Sequence, residues 1–293
     1  MTQRLPFSKP LPLSLAVSGL LLCVAGPLSA KDYCEYRKSL DFTQDVGSLA
    51  ELDLNAGPGS LRISGDAGAS QIVVNATACA SSEKLLDGLR IDQRTSGDKL
   101  MLDTVEPDRG WSSWSGNSYA GIELEIVVPA SFDVSVEDTS GSATIEGVHE
   151  VYVEDGSGEL TIRSTSGPVS VDDGSGSLTL RDIGGRIYLN DGSGSIDIDG
   201  AREDVFIEED GSGGIDIRDV ALDVVIEEDG SGGITVSQVG GDVLVDNDGS
   251  GGIKVADVTG SLTVRRDGNG GINYSNVAGD ISVPEDRRKR KKM

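Results

Sequence analysis

The sequence predicts an all-β fold: a parallel β-solenoid built from 18- and 19-residue coils, with an irregular N-terminal cap. Three observations carry this. The tetrapeptide Asp-Gly-Ser-Gly opens at Asp155, Asp173, Asp191, Asp210, Asp229 and Asp248, and Asp267-Gly268-Asn269-Gly270 is a variant seventh copy, so the steps are 18, 18, 19, 19, 19 and 19 residues. Each copy is flanked by two short runs that alternate apolar and other residues, the strand period. Aromatic residues make up 4% of the chain, so the interior has to be built from Val, Ile and Leu. An antiparallel meander has no need of such strict register. A coil does, because each rung lies ~4.8 Å above the last and equivalent residues stack.

Taken in chain order, residues 1–30 have the form of a secretory signal. Arg4 and Lys9 precede an apolar run from Leu11 to Ala25, and Ser29-Ala30 is a small-residue cleavage site before Lys31. The run is too short and too interrupted for a transmembrane span. The expectation is an exported protein, periplasmic or secreted to the cell surface. Cys34 and Cys79 are the cysteines left after cleavage. An even pair in an oxidising compartment suggests one disulfide; two unpaired buried thiols are the alternative.

Residues 31–130 are expected to form the cap and irregular β rungs. The stretch from Leu52 to Ile63 aligns position for position with Val151 to Ile162. Strand pairs follow at Ile72/Val74, Leu89/Ile91, Leu100/Leu102 and Ile122/Leu124/Ile126, and Ser82 to Leu89 has the form of a short helix. A separate small β-domain is the alternative for this region. Trp111 and Trp114 share one Gly- and Ser-rich loop, which could stack on sugar rings or fold over a solenoid edge as a lid.

Residues 131–284 hold the regular coils, and a degenerate copy of the motif, Asp138-Thr139-Ser140-Gly141, opens them. Inward pairs such as Val151/Val153 with Leu160/Ile162, and Val224/Ile226 with Ile234/Val236, give eight rungs and a rod of ~40 Å. A third aliphatic closes many coils, as at Ile183, Val220 and Val239. The glycines supply turns with positive φ, and the Asp accepts hydrogen bonds from turn N–H groups. The step from 18 to 19 comes from one extra residue before the Asp, which a bulge can absorb. Pro284 stops the last strand, and residues 285–293 read as a disordered basic tail that folds back on the body, blunts the open end or meets phosphate groups.

The formal net charge is −24. Without Arg4, Lys9 and the six tail cations, 17 of the 25 basic residues face all 49 acidic ones, a body near −32. Such a body repels nucleic acid and anionic membranes. Chemistry is poorly served. His149 is the one histidine, so a His zinc cluster is excluded, and it reads as a solvated turn residue. Gly-Ser-Gly is not a nucleophile elbow, and no serine stands apart from its repeats. No catalytic residue and no required cofactor is expected. Calcium is the one candidate ion, held by stacked acids: Glu209, Glu228 and Asn247 in one row, Asp210, Asp229 and Asp248 in the next. Turn capping by the Asp is the alternative reading.

One outward column is not explained by the core. Tyr152, Ser170, Tyr188, Phe206, Val225, Leu244, Thr263 and Ser282 occupy the position between the two inward residues of each first strand. Acids flank its apolar part, with Asp204, Asp223 and Asp242 on one side and Glu208, Glu227 and Asp246 on the other. An apolar patch with a polar rim marks an interaction surface, unless the N-terminal region covers it.

The pattern aliphatic-x-aliphatic, Asp-Gly-Ser-Gly, Ile-x-Ile behind a signal peptide resembles the bacterial putative-adhesin family of Gly-rich β-solenoids, of the auto-transporter adhesin head, GIN-type kind. Residues Ile126 to Val134 look like that family too. The resemblance covers roughly residues 48–283 and implies a solenoid without established catalytic residues. The expectation is a non-enzymatic binding or scaffold module of the cell envelope, with a surface protein or glycan, or a second copy, as partner. A polysaccharide-processing β-helix enzyme and a calcium-stabilised structural envelope protein are the competing classes.

Overall fold

The structure, a computed structural model, describes residues 34–107 and 118–284. It is a parallel β-solenoid. First strands stack in the order Asp133–Asp138, Val151–Asp155, Val169–Asp173, Ile187–Asp191, Val205–Asp210 and Val224–Asp229, each paired in parallel with the next. Second strands stack beside them, from Gly141–Glu146 through Gly158–Arg163 and Gly176–Ile183 to Gly232–Val239. In the last coils both strands and the turn merge into single 16-residue strands, Val243–Val258 and Leu262–Val277.

Period-two alternation decides which residues face in. Val151 and Val153 are buried while Tyr152 between them is exposed, and Leu160 and Ile162 are buried across the corner. The same columns run on as Val205, Ile207, Ile215 and Ile217, then Val224, Ile226, Ile234 and Val236. The third aliphatic follows a residue in the left-handed region, as with Asp182 (φ 52), Asp219 (φ 58) and Asp257 (φ 55). Asp tolerates that region better than most side chains. The bend resets the alternation, so Ile183, Val220 and Val258 also turn inward and are buried.

The second Gly of each motif is dictated by the stacking. Gly232 has φ 157, and a Cβ built there would lie 1.4 Å from the carbonyl oxygen of Gly213 one coil back. No side chain fits, so the backbone of one coil rests on that of its neighbour. The inserted residue of the 19-residue coils is a bulge: the register slips between Leu189 and Asn190, so Asn190 meets Glu209 and Glu208 is passed over. Asp191 still meets Asp210, so the inward columns are undisturbed.

The N-terminal region is built otherwise. The coil at Glu51–Ala56 and Gly59–Asp66 stacks directly under Asp133–Asp138 and Gly141–Glu146. On its other side lie Lys99–Val105 and Ala120–Pro129. Where the sequence reading has irregular coils in series, the structure has antiparallel pairs: Gln71–Ala80 with Ala120–Pro129, and Arg90–Ser96 with Lys99–Val105. Each of these two ten-residue strands runs on without an Asp-Gly-Ser-Gly corner to fold it into two, and antiparallel pairing joins Val73–Ala80 to Ala120–Val127. Tyr36–Ser39 and Phe42–Asp45 add to the outer edge of Gln71–Ala80. A disulfide joins Cys34 to Cys79 on that strand. Among the described residues the one helix is Glu83–Gly88, with the Ser82 side chain accepting a bond from the Leu85 N–H at its start.

Candidate functional site

Two columns run along the coils at adjacent positions of the same strands, one pointing out and one pointing in. The outward column follows the backbone register without a break: Tyr152, Ser170, Tyr188, Phe206, Val225, Leu244, Thr263, Ser282. The described N-terminal region does not cover it: Tyr152 and Tyr188 are each 43% exposed, and Phe206, Val225 and Leu244 are half-buried by their neighbours. The Tyr188 and Phe206 rings lie 5.8 Å apart at a tilt of 57°. The Arg186 guanidinium sits 5.9 Å from the Tyr188 ring centre and is held by Asp204 at 2.8 Å. The flanking acids have their own bonds. Asp204 accepts from the Asp223 N–H, Asp223 from the Asp242 N–H, and Asp242 from the Ser261 N–H, so each carboxylate secures the coil above it. The outward row of the second strands is polar: Thr161, Thr179, Asp197, Asp216, Thr235, Lys254 and Asn273. Trp111 and Trp114 lie outside the described residues.

The inward column is one that turn chemistry did not announce. Asp138, Asp155, Asp173, Asp191, Asp210, Asp229 and Asp248 stack in register and are all buried, with Asp191 and Asp210 at 0% exposure. In the earlier coils one carboxylate oxygen accepts a bond from the Ser two residues on, as at Asp173–Ser175 and Asp191–Ser193, both 3.0 Å. After the inserted residue, from Asp210 on, it does not. Both oxygens of Asp210, Asp229 and Asp248 are buried without a hydrogen-bond partner. The Ser212, Ser231 and Ser250 N–H groups still offset a little of the cost, from outside bonding geometry. Burial pushes the carboxyls of Asp138, Asp173, Asp191, Asp210 and Asp248 up to about 6. Burial, with Asp210 and Asp248 on either side, pushes Asp229 to about 7.

The two rows of acids read as candidate calcium ligands face opposite ways. Glu209, Glu228 and Asn247 do stack, and so do Asp210, Asp229 and Asp248. Yet Glu209 and Glu228 are exposed while the Asp row is buried, because consecutive strand residues face opposite ways. Among the described residues, the one group of three His, Cys, Asp or Glu side chains with ligand atoms converging is Asp133, His149 and Glu150. There His149 Nδ1 lies 2.7 Å from Asp133 Oδ1, linking successive coils at the surface. No helix of the described residues is long and apolar enough to cross a membrane.

No family model and no curated protein matches the chain. Solved structures resemble it at low identity. A putative adhesin from Bacteroides fragilis is 15% identical over 84% of this chain and 96% of that one, with a TM-score of 0.26. A putative lipid binding protein from Parabacteroides distasonis is 11% identical over 85% and 98%, with a TM-score of 0.32. A putative adhesin from Parabacteroides merdae is 11% identical over 85% and 97%, with a TM-score of 0.29. Likeness at this level says nothing of function.

Proposed function

We propose that the chain is an exported, non-enzymatic binding module that presents its outward aromatic-aliphatic column to a glycan or protein of a cell envelope or surface. The observation that carries this is the uncovered run of Tyr188, Phe206, Val225 and Leu244 on one straight face. Burying these side chains against a partner would contribute where leaving them wet contributes nothing. The tilted Tyr188–Phe206 pair with Arg186 beside it offers a ring-sized apolar platform with a polar edge, the chemistry that sugar faces and aromatic side chains share. Export is supported by the form of residues 1–30 and by the Cys34–Cys79 disulfide, which belongs to an oxidising compartment.

The test is a glycan array and a whole-cell binding assay with the mature protein, run beside Phe206→Asp/Leu244→Asp. Binding without turnover that falls tenfold or more in the double variant is expected. Binding and oligomeric state both unchanged in a folded double variant would make the column merely structural, and cleavage of a bound polysaccharide would make the protein an enzyme.

A further inference from the structure

The inward column poses a problem that the binding face does not address. Burying an ionised carboxylate is costly unless it is paired, and the usual escape is to become neutral or to hold a cation. Here seven aspartates are buried in line, and an eighth, Asp267, stands half-buried at the end with one oxygen unpartnered. The groups that face each one are its own kind. Asp173 lies between Asp155 and Asp191, Asp229 between Asp210 and Asp248, and Asp248 against Asp267. Residues next to them on the same strands, Glu154, Asp172, Glu209 and Glu228, are exposed on the opposite face. Among the described residues no Lys, Arg or His contributes to the shift of any of the seven. Among the described residues the one other buried polar side chain is Thr165, whose hydroxyl donates to the Gly167 carbonyl.

Two ways of neutralising the column compete, and ligand number decides between them. Calcium takes about 6–8 oxygen ligands. Each interval in the column offers two carboxylates, and no third acidic or histidine ligand converges on any of them among the described residues. A proton between two carboxyl groups needs one oxygen from each, and the column sets each carboxyl over the next, with Asp248 and Asp267 within side-chain hydrogen-bonding reach.

We propose that the buried aspartates form a proton-sharing spine, in which protonated carboxyls donate to the carboxylates of adjacent coils, so that acid locks the coils and base loosens them. Each shared proton makes one Asp O–H a donor to an oxygen of the next Asp. Losing it leaves two anions facing each other in an apolar interior. The loosening begins at Asp210, Asp229 and Asp248, where no backbone N–H bonds either oxygen. The sign follows from linkage. These carboxyls titrate at about 6 to 7 in the folded chain, raised from an ordinary 3.8. The folded state therefore holds more protons between those limits, and stability falls as pH rises through 6 to 7.

The experiment is thermal unfolding of the full chain from pH 4 to pH 8, in chelator and then in calcium. The paired variants are Asp210→Asn/Asp229→Asn and Glu209→Gln/Glu228→Gln. Both remove two acids from the same strands, so they cancel the general effect of a very acidic protein. The wild-type melting temperature is expected to drop by on the order of 10 °C from pH 5 to pH 8 in chelator. The Asn pair should flatten that slope and the Gln pair should leave it. Equal flattening by both pairs would overturn the proposal, and so would a calcium-induced rise at pH 8 that the Asn pair abolishes. Should the Asn pair not fold, infrared spectra of the wild-type chain decide. A protonated carboxyl band is expected at pH 6, and its absence there would sink the idea.

Discussion

The 18-residue coils, 155 to 190, and the 19-residue coils, 191 to 266, share their aliphatic columns and differ in their polar interior. In the former, Asp155 and Asp173 each give one oxygen to a serine N–H. In the latter, after the bulge that passes over Glu208, both oxygens of Asp210, Asp229 and Asp248 are left without a partner. One residue per coil therefore costs no hydrophobic packing: Ile207 and Ile226 are as buried as Val153. What it changes is how the acids are satisfied. Columns of like residues are robust to local insertion because a bulge preserves which face each residue takes, whereas an Asp–Ser contact two residues long is not.

That comparison can be broken or sharpened. The largest effect should ignore it: Gly158→Ala and Gly232→Ala both drive a Cβ into a backbone oxygen, at 1.6 and 1.4 Å. Each is expected to cost about 3 kcal/mol or more in chemical denaturation. A much milder loss in one region would show that its coils can part. A smaller effect should separate the regions. Deleting Glu227 turns one long coil into a short one and should return the Asp229–Ser231 bond, a gain of about 1 kcal/mol at neutral pH. A loss instead would mean that the bulge matters for more than register. The smallest is read by amide exchange: Ser157, Ser175 and Ser193 should exchange roughly tenfold more slowly than Ser212, Ser231 and Ser250. Equal protection would put the two kinds of coil on one footing.

Much of this was legible in the repeat itself. Identical spacing gave the stacking, and alternation gave Tyr188 and Phe206 their outward column. The one-residue step gave the bulge. The inward aspartates were legible too, but masked. Val151, Val153 and Asp155 share one parity and hence one face, yet an Asp before Gly is so good a turn residue that turn chemistry alone accounts for it. In the long coils Ile207 and Asp210 are out of step, and only the bulge restores them to the same side. The antiparallel cap was not legible, because alternation fixes the face a residue takes and not the strand it pairs with. Nothing in 71–80 names 120–129 as its partner.

The coil at 51–66 is wedged between chain that follows it on both sides: Leu52 pairs with Leu100 below and with Val134 above. From residue 151 on, each coil is laid on its immediate predecessor. Assembly therefore has one slow, entropically costly closure at the start, when residues 67–129 must go out and return, and cheap local additions afterwards. Trimming coils from the C-terminal end should shorten the solenoid step by step, whereas excising 67–129 would remove the platform on which the first regular coil is laid.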